Sequence, residues 1–214
     1  MTGLWTAIGL GVLSLVAYII LSLGKLSRPT RGILIDRAVR PETALVVIDV
    51  QEDFTRNTGR HAFDPEKRDA ALGAISREIE TSRAAGHEVA FIRNVFRDWP
   101  VVVAMKLTAG GVGTPGREGL KFDRTLDVGD APQFEKSIGD TFSCPDFEAW
   151  LAEKRIGRLI LVGLDSCYCV QLTAMGALAR GYAVEIREDA TLTTQPEKWA
   201  GLKQDLETAG AALA

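Results

Sequence analysis

The chain has 214 residues and a formal net charge of -3, with a pI near 5.5. That balance, with no stretch interleaving basic and aromatic side chains, gives nucleic acid no footing. Cys144, Cys167 and Cys169 are an odd count without framework spacing, which excludes a disulfide scaffold and points to a reducing compartment.

Thr2 to Gly24 carries no charged side chain. At about 1.5 Å per residue such a helix spans a hydrocarbon core of roughly 30 Å, so residues 1–24 are predicted as a single-pass transmembrane anchor. Trp5 and Tyr18 are its candidate interfacial aromatics. Lys25, Arg28, Arg31, Arg37 and Arg40 all follow the segment. The positive-inside tendency therefore puts the remaining chain in the cytoplasm. A cleaved signal peptide is the rival, but a basic n-region and an A-x-A site are both missing. Residues 25–42, with two prolines and several arginines, read as a juxtamembrane linker, and 43–214 as one α/β domain.

Ala44 to Val50, ALVVIDV, is an apolar run ending at Asp49. It is followed by Gln51, Glu52, Asp53 and Phe54. Asp64 and Pro65 open a helix with Leu72, Ile75 and Ile79 on one side, ending at Gly86. Glu88 to Val95 is the second strand, with Arg93, Asn94, Arg97, Asp98 and Trp99 around its carboxyl end. Leu107 to Gly119, rich in glycine, reads as a mobile lid and matches no phosphate-loop pattern. Gln133 to Ser137 is a short strand ending near Lys136. Ser143 is predicted to cap a helix carrying Phe147, Trp150 and Leu151.

Arg158 to Thr191 reads strand, tight turn, helix, glycine stop, strand. RLILVGL has the unbroken apolar pattern of a strand buried on both faces. LDSCYC then turns small and polar, with Asp165 and Ser166 as helix caps, and Gly181 ends the helix. A last helix runs from about Pro196 to Ala209. Alternating strands and helices predict a doubly wound, mostly parallel sheet with helices on both faces. The carboxyl ends of all its strands open on one edge, where ligands bind.

Asp49, Lys136 and one of Cys167 and Cys169 fall at such ends. A carboxylate, an ammonium and a thiol there make a plausible nucleophilic site. Lysine and the helix dipole are expected to favour the thiolate, with the carboxylate moving the proton. Each residue also has a plainer role as a turn cap, a solvated strand end or a small buried side chain.

ALVVIDVQEDF, FEKSIGDTF and LILVGLDSCYCVQLTAMGALARGYAVEIREDAT resemble, in order, the signature segments of the isochorismatase-like cysteine hydrolases. The resemblance makes 43–214 a hydrolase domain. It puts Asp49, Lys136 and Cys169 at the family's catalytic triad, and leaves Cys167 at a variable position. It implies a cis peptide joining Leu164 and Asp165, and an oxyanion site at the turn formed by Leu164, Asp165 and Cys169. It further implies C–N bond hydrolysis of a small amide, carbamoyl or ureide substrate through a thioester, without a cofactor, in a homo-oligomer. The metal-binding D-x-H pattern of nicotinamidases is missing. His61 is the nearest histidine after the first strand, and His87 lies in a turn, so no metal is expected. Phe54, Arg93, Arg97 and Trp99 are the candidate substrate-binding residues. The alternatives are a membrane-tethered scaffold with idle chemistry, or a nicotinamidase-type amidase lacking the metal site.

Overall fold

A computed structural model describes residues 2–57 and 62–214, leaving aside the side chains at 2–9, 11 and 12. His61 and the Trp5 side chain lie outside the described residues. Six parallel strands form one open sheet in the order β3-β2-β1-β4-β5-β6. They are β1 (Glu42–Ile48), β2 (Glu88–Asn94), β3 (Gln133–Lys136), β4 (Ile156–Leu164), β5 (Ala183–Leu192) and β6 (Ala212–Leu213). Strand order reverses between β1 and β4, the crevice that a doubly wound sheet leaves for a ligand.

Period-two alternation decides which helix each strand residue meets. Leu45 and Val47 of β1, with Ile160 and Val162 of β4, pack under α3 (Pro65–Ala84) through Leu72, Ile75 and Ile79. Ala44, Val46 and Ile48, with Leu159 and Leu161, face the other way. There they meet α5 (Pro145–Glu153), α6 (Gln171–Leu178) and α7 (Pro196–Thr208) through Phe147, Ala174 and Trp199. Asp64 caps α3 by accepting from Lys67 N at 3.0 Å. The cap of α5 differs from expectation. Cys144 holds that position, because Ser143 is spent in a 3-10 turn whose capping side chain is Asp140.

Three further elements were not legible in sequence. One is α2 (Glu52–Thr55), a single turn after β1. Another is β6, a two-residue edge strand. The third is α4 (Trp99–Thr108), opened by Asp98 and Pro100, whose Val101-Val102-Val103 run has β rather than helical character.

The amino-terminal segment forms α1 (Thr2–Lys25). Among the described residues no helix is long and apolar enough to cross a membrane, so the expected transmembrane anchor is not supported. α1 touches the domain at two points: the Tyr18 ring stacks on Trp99 of α4 with centroids 6.2 Å apart, and Ser22 is buried, while Ile20, Leu21 and Leu23 stay exposed.

Nor do residues 26–40 behave as a free linker. They run across the domain as a strap. Asp140 accepts from Thr30 N at 2.6 Å and from Thr30 Oγ1 at 2.7 Å, and Arg180 O accepts from Ile35 N at 2.9 Å. Gly32 lies under the Arg180 guanidinium, where a Cβ would approach Nε to 2.4 Å.

Candidate active site

The site forms at the switch point. β1 ends at Ile48, and Asp49 follows in a left-handed backbone conformation, φ 55°, which an aspartate tolerates better than most side chains. Beside it, Gly163 of β4 has φ 114°, and a Cβ there would meet Ile48 O at 2.2 Å. Only glycine lets the two strands approach so closely. After β4 the Leu164–Asp165 peptide is cis, as the family resemblance implied. Ser166–Val170 then makes a single wide turn of π-helix before α6. Asp165 caps that turn, accepting from Cys167 N at 2.8 Å.

Cys167 and Cys169 diverge there, since residues two apart on a helix point in different directions. Cys167 turns into the core, its Sγ 3.4 Å from Thr193 Oγ1 and from Gln195 O. Cys169 lines a cavity of about 320 Å³ together with Asp49.

Lys136, from the end of β3, reaches the same point. Its Nζ donates to Asp49 Oδ2 at 2.7 Å and to Asn94 Oδ1 at 3.3 Å, and all three side chains are buried. Asp49 Oδ1 has no donor of its own, and Cys169 lines the same cavity as that carboxylate. Burial raises the Asp49 pKa above the usual carboxylate range against the pull of Lys136. Burial also works against charge on Lys136, but Asp49 and Cys169 outweigh it and hold the ammonium above the ordinary lysine value.

The surroundings of Cys169 work against the expected thiolate. Burial first, then the Asp49 carboxylate, push the Cys169 thiol above its usual value, and Lys136 only partly opposes them. An anion beside a second anion in a buried site is disfavoured.

Gln51 is a fully buried residue that sequence reasoning left without a role. It accepts from Asn94 N at 2.6 Å and donates to Asn94 O and Leu120 O, each at 3.2 Å. It thereby ties the ends of β1 and β2 to the chain beyond the glycine-rich loop.

That loop is pinned rather than loose. Asp53 Oδ2 accepts from Gly113 N at 2.9 Å and pairs with Arg117 Nε at 2.7 Å. Phe54 and Phe96 pack over Gly113, where a Cβ would come within 3.0 Å of both rings.

Of the four candidate substrate contacts, Phe54 lines the cavity and three do not. Arg93 stacks its guanidinium over Phe122 at 4.8 Å and donates to Gln133. Arg97 is paired with Glu135, and Trp99 with Tyr18. Sequence placed these residues at the right sheet edge, but side chains there alternate between two faces. Phe63, Phe96, Met105, Val112 and Tyr168 line the cavity without having been foreseen. They come from loops, from α4 and, for Tyr168, from the π-helical turn after β4; the sequence marked the segments holding Val112 and Tyr168 but not which side chains face the cavity. Among the described residues no group of three or more His, Cys, Asp or Glu could hold a metal ion.

An open parallel sheet with a mostly apolar cavity at its switch point defines an α/β protein of the ligand-binding, enzyme-like kind. Residues 43–214 match the isochorismatase domain, and the chain belongs to the isochorismatase-like hydrolase family. It is 36% identical over 208 residues to the nicotinamidase of Escherichia coli (strain K12), covering 81% of this chain and 94% of that one. It is 26% identical over 185 residues to a ureidoacrylate amidohydrolase of Azorhizobium caulinodans, covering 73% of this chain and 78% of that one. The crystal structure of N-carbamoylsarcosine amidase from Thermoplasma acidophilum superposes with a TM-score of 0.67 at 25% identity, covering 80% and 95% of the two chains.

Proposed function

We propose that this hydrolase cleaves the C–N bond of a small amide through a thioester on Cys169. The observation that carries the reading is the cavity lined by both Asp49 and Cys169, with the buried Lys136 ammonium paired to Asp49 behind it. Asp49 accepts the thiol proton as Sγ attacks the carbonyl carbon. The oxyanion is held by backbone N–H groups of the turn at Leu164, Asp165 and Cys169. The proton on Asp49 passes to the nitrogen, the C–N bond breaks, and ammonia or an amine departs. Water then attacks the thioester and gives a proton to Asp49. The carboxylic acid leaves, and that proton returns to sulfur.

Lys136 keeps the carboxylate oriented and favours its ionised form at the moments when it acts as the base. The amidohydrolase names of the relatives support the bond type. The test is ammonia release from a panel of primary amides, ureides and carbamates. Cys169→Ala and Asp49→Asn are each expected to lose on the order of 10³-fold or more in kcat. Turnover by Cys169→Ala equal to wild type rules the thioester out, and no turnover of any amide by wild type favours the idle scaffold.

A membrane location for residues 2–24, with the domain on the cytoplasmic side, belongs to the same proposal. Its support is the uncharged sequence before Lys25, Arg28 and Arg31, and the exposed Leu13, Ile20 and Leu21 of α1. Association with the lipid surface, rather than a span, is what this helix fits. Vesicle flotation of the full chain against residues 25–214 decides it, and equal flotation removes it.

A further inference from the structure

We infer that Thr30 and Asp140 are positioning residues for the active site, through which the strap fixes the chain beyond Lys136 against the helix that follows Cys169. That role presupposes the thioester reading above and extends the site to residues 26–40, which precede the matched domain at 43–214.

Lys136 ends β3, and the chain then turns through Gly139, Asp140 and Thr141 on its way to α5. Cys169 sits in the π-helical turn that runs directly into α6. The turn after Lys136 touches α6 at two places. Thr141 N donates to Thr173 Oγ1 at 3.1 Å, and the two threonine hydroxyls lie 2.9 Å apart, one helical turn beyond Cys169. The Asp140 carboxylate lies so close to Gly176 that a Cβ there would meet Oδ2 at 2.3 Å. Only glycine admits the carboxylate against that face.

Asp140 is fully buried. Its Oδ1 accepts from Phe142 N, within its own turn, at 3.0 Å. Its Oδ2 is served by the strap, through Thr30 N at 2.6 Å and Thr30 Oγ1 at 2.7 Å. Burial raises the Asp140 pKa, and these two donors are the foremost influences against it. The strap is gripped in turn from just past the carboxyl end of α6. Arg180 Nη1 donates to Thr30 O at 3.3 Å and to Gly176 O at 3.1 Å. Gly139 N donates to Leu26 O at 3.3 Å.

Without the Thr30 donors a buried carboxylate is left short of partners, and it either takes up a proton or swings toward water. Either response shifts the turn between Lys136 and Thr141 and slackens the Thr141–Thr173 link. Lys136 and Cys169 then lose their fixed separation. A misplacement of about 1 Å at reacting groups costs on the order of a hundredfold in rate.

A graded series at position 30 of the full chain tests the role. Thr30→Ser keeps both donors, Thr30→Val removes the hydroxyl, and Thr30→Pro removes the hydroxyl and the N–H. With an amide that the wild type turns over, kcat is measured well below each variant's melting temperature. It is expected within twofold of wild type for Thr30→Ser, at least fivefold lower for Thr30→Val and at least 30-fold lower for Thr30→Pro. KM is expected to change less than threefold. A strap that serves stability alone would lower the melting temperatures and leave kcat within twofold throughout. That result, or a loss carried by KM alone, overturns the role while the thioester reading stands. Should Thr30→Pro not fold, the comparison of Thr30→Val with Thr30→Ser decides. If the wild type turns over no amide, the thioester reading fails, and hydrogen exchange of the amides at 170–176 decides the hold on α6. Exchange at least tenfold faster in Thr30→Val than in Thr30→Ser upholds it, and exchange within twofold overturns it.

Discussion

Lys136 Nζ sits 2.7 Å from Asp49 Oδ2 with both side chains buried, while the other carboxylate oxygen is left without a donor. One oxygen holds the ammonium and the other is free for a proton. Lys136→Met is expected to leave Asp49 buried and unpaired, which raises its pKa further and costs about 3–5 kcal/mol of stability. Paired with Asp49→Asn the loss shrinks, because no orphan charge remains. Denaturant unfolding of both single variants and the double variant measures that coupling.

The raised Asp49 pKa and the raised Cys169 pKa set the pH behaviour of the site. The acid limb of kcat/KM is expected to lie above the ordinary carboxylate range, since activity needs Asp49 unprotonated at the moment of attack. Iodoacetamide is expected to alkylate Cys169 slowly at pH 7, with a rate still climbing at pH 9, as a neutral thiol would. Mass-spectrometric labelling against pH checks this, and a rate already level at pH 7 would restore the resting thiolate.

Asp123 links stability to pH. Burial opposes its ionisation, but Arg56, Thr55 and Thr125 outweigh it and lower the pKa to about 2. A depressed carboxylate contributes stability that is present above its unfolded value, near 3.8, and is lost as pH falls through the folded one. Asp123→Asn is expected to cost about 2 kcal/mol at pH 7. The gap to wild type should close between pH 4 and 2 in thermal melts.

Asp53 holds Gly113 and Arg117 of the glycine-rich loop. Asp53→Ala is expected to loosen residues 107–119, raising KM several-fold with a smaller change in kcat. Limited proteolysis should then cut within that loop, where wild type resists.

The strap and α1 separate in a deletion series. A chain beginning at residue 25 keeps the contacts of Thr30 with Asp140 and of Ile35 with Arg180, and is expected to melt close to the full chain. One beginning at residue 42 strips Asp140 and Arg180 of those partners, and a loss of several degrees is expected. Calorimetry of the two reads the difference.

What the sequence determined by itself is local. Apolar runs such as Leu159 to Val162 announced buried parallel strands, Asp64-Pro65 announced a helix start, and Asp49, Lys136 and Cys169 fell at strand ends that a parallel sheet must bring to one edge. Where helix and strand patterns conflict, as in the valine run of α4, periodicity gave no answer and packing chose.

Only the tertiary structure decided the burial and the charged neighbours of Cys169, the pairing that removes Arg93 and Arg97 from the cleft, and the docking of α1 and the strap on the domain. Those depend on how much water and which charges surround a group after folding. Those neighbours come from distant parts of the chain, and no spacing along the sequence carries that information.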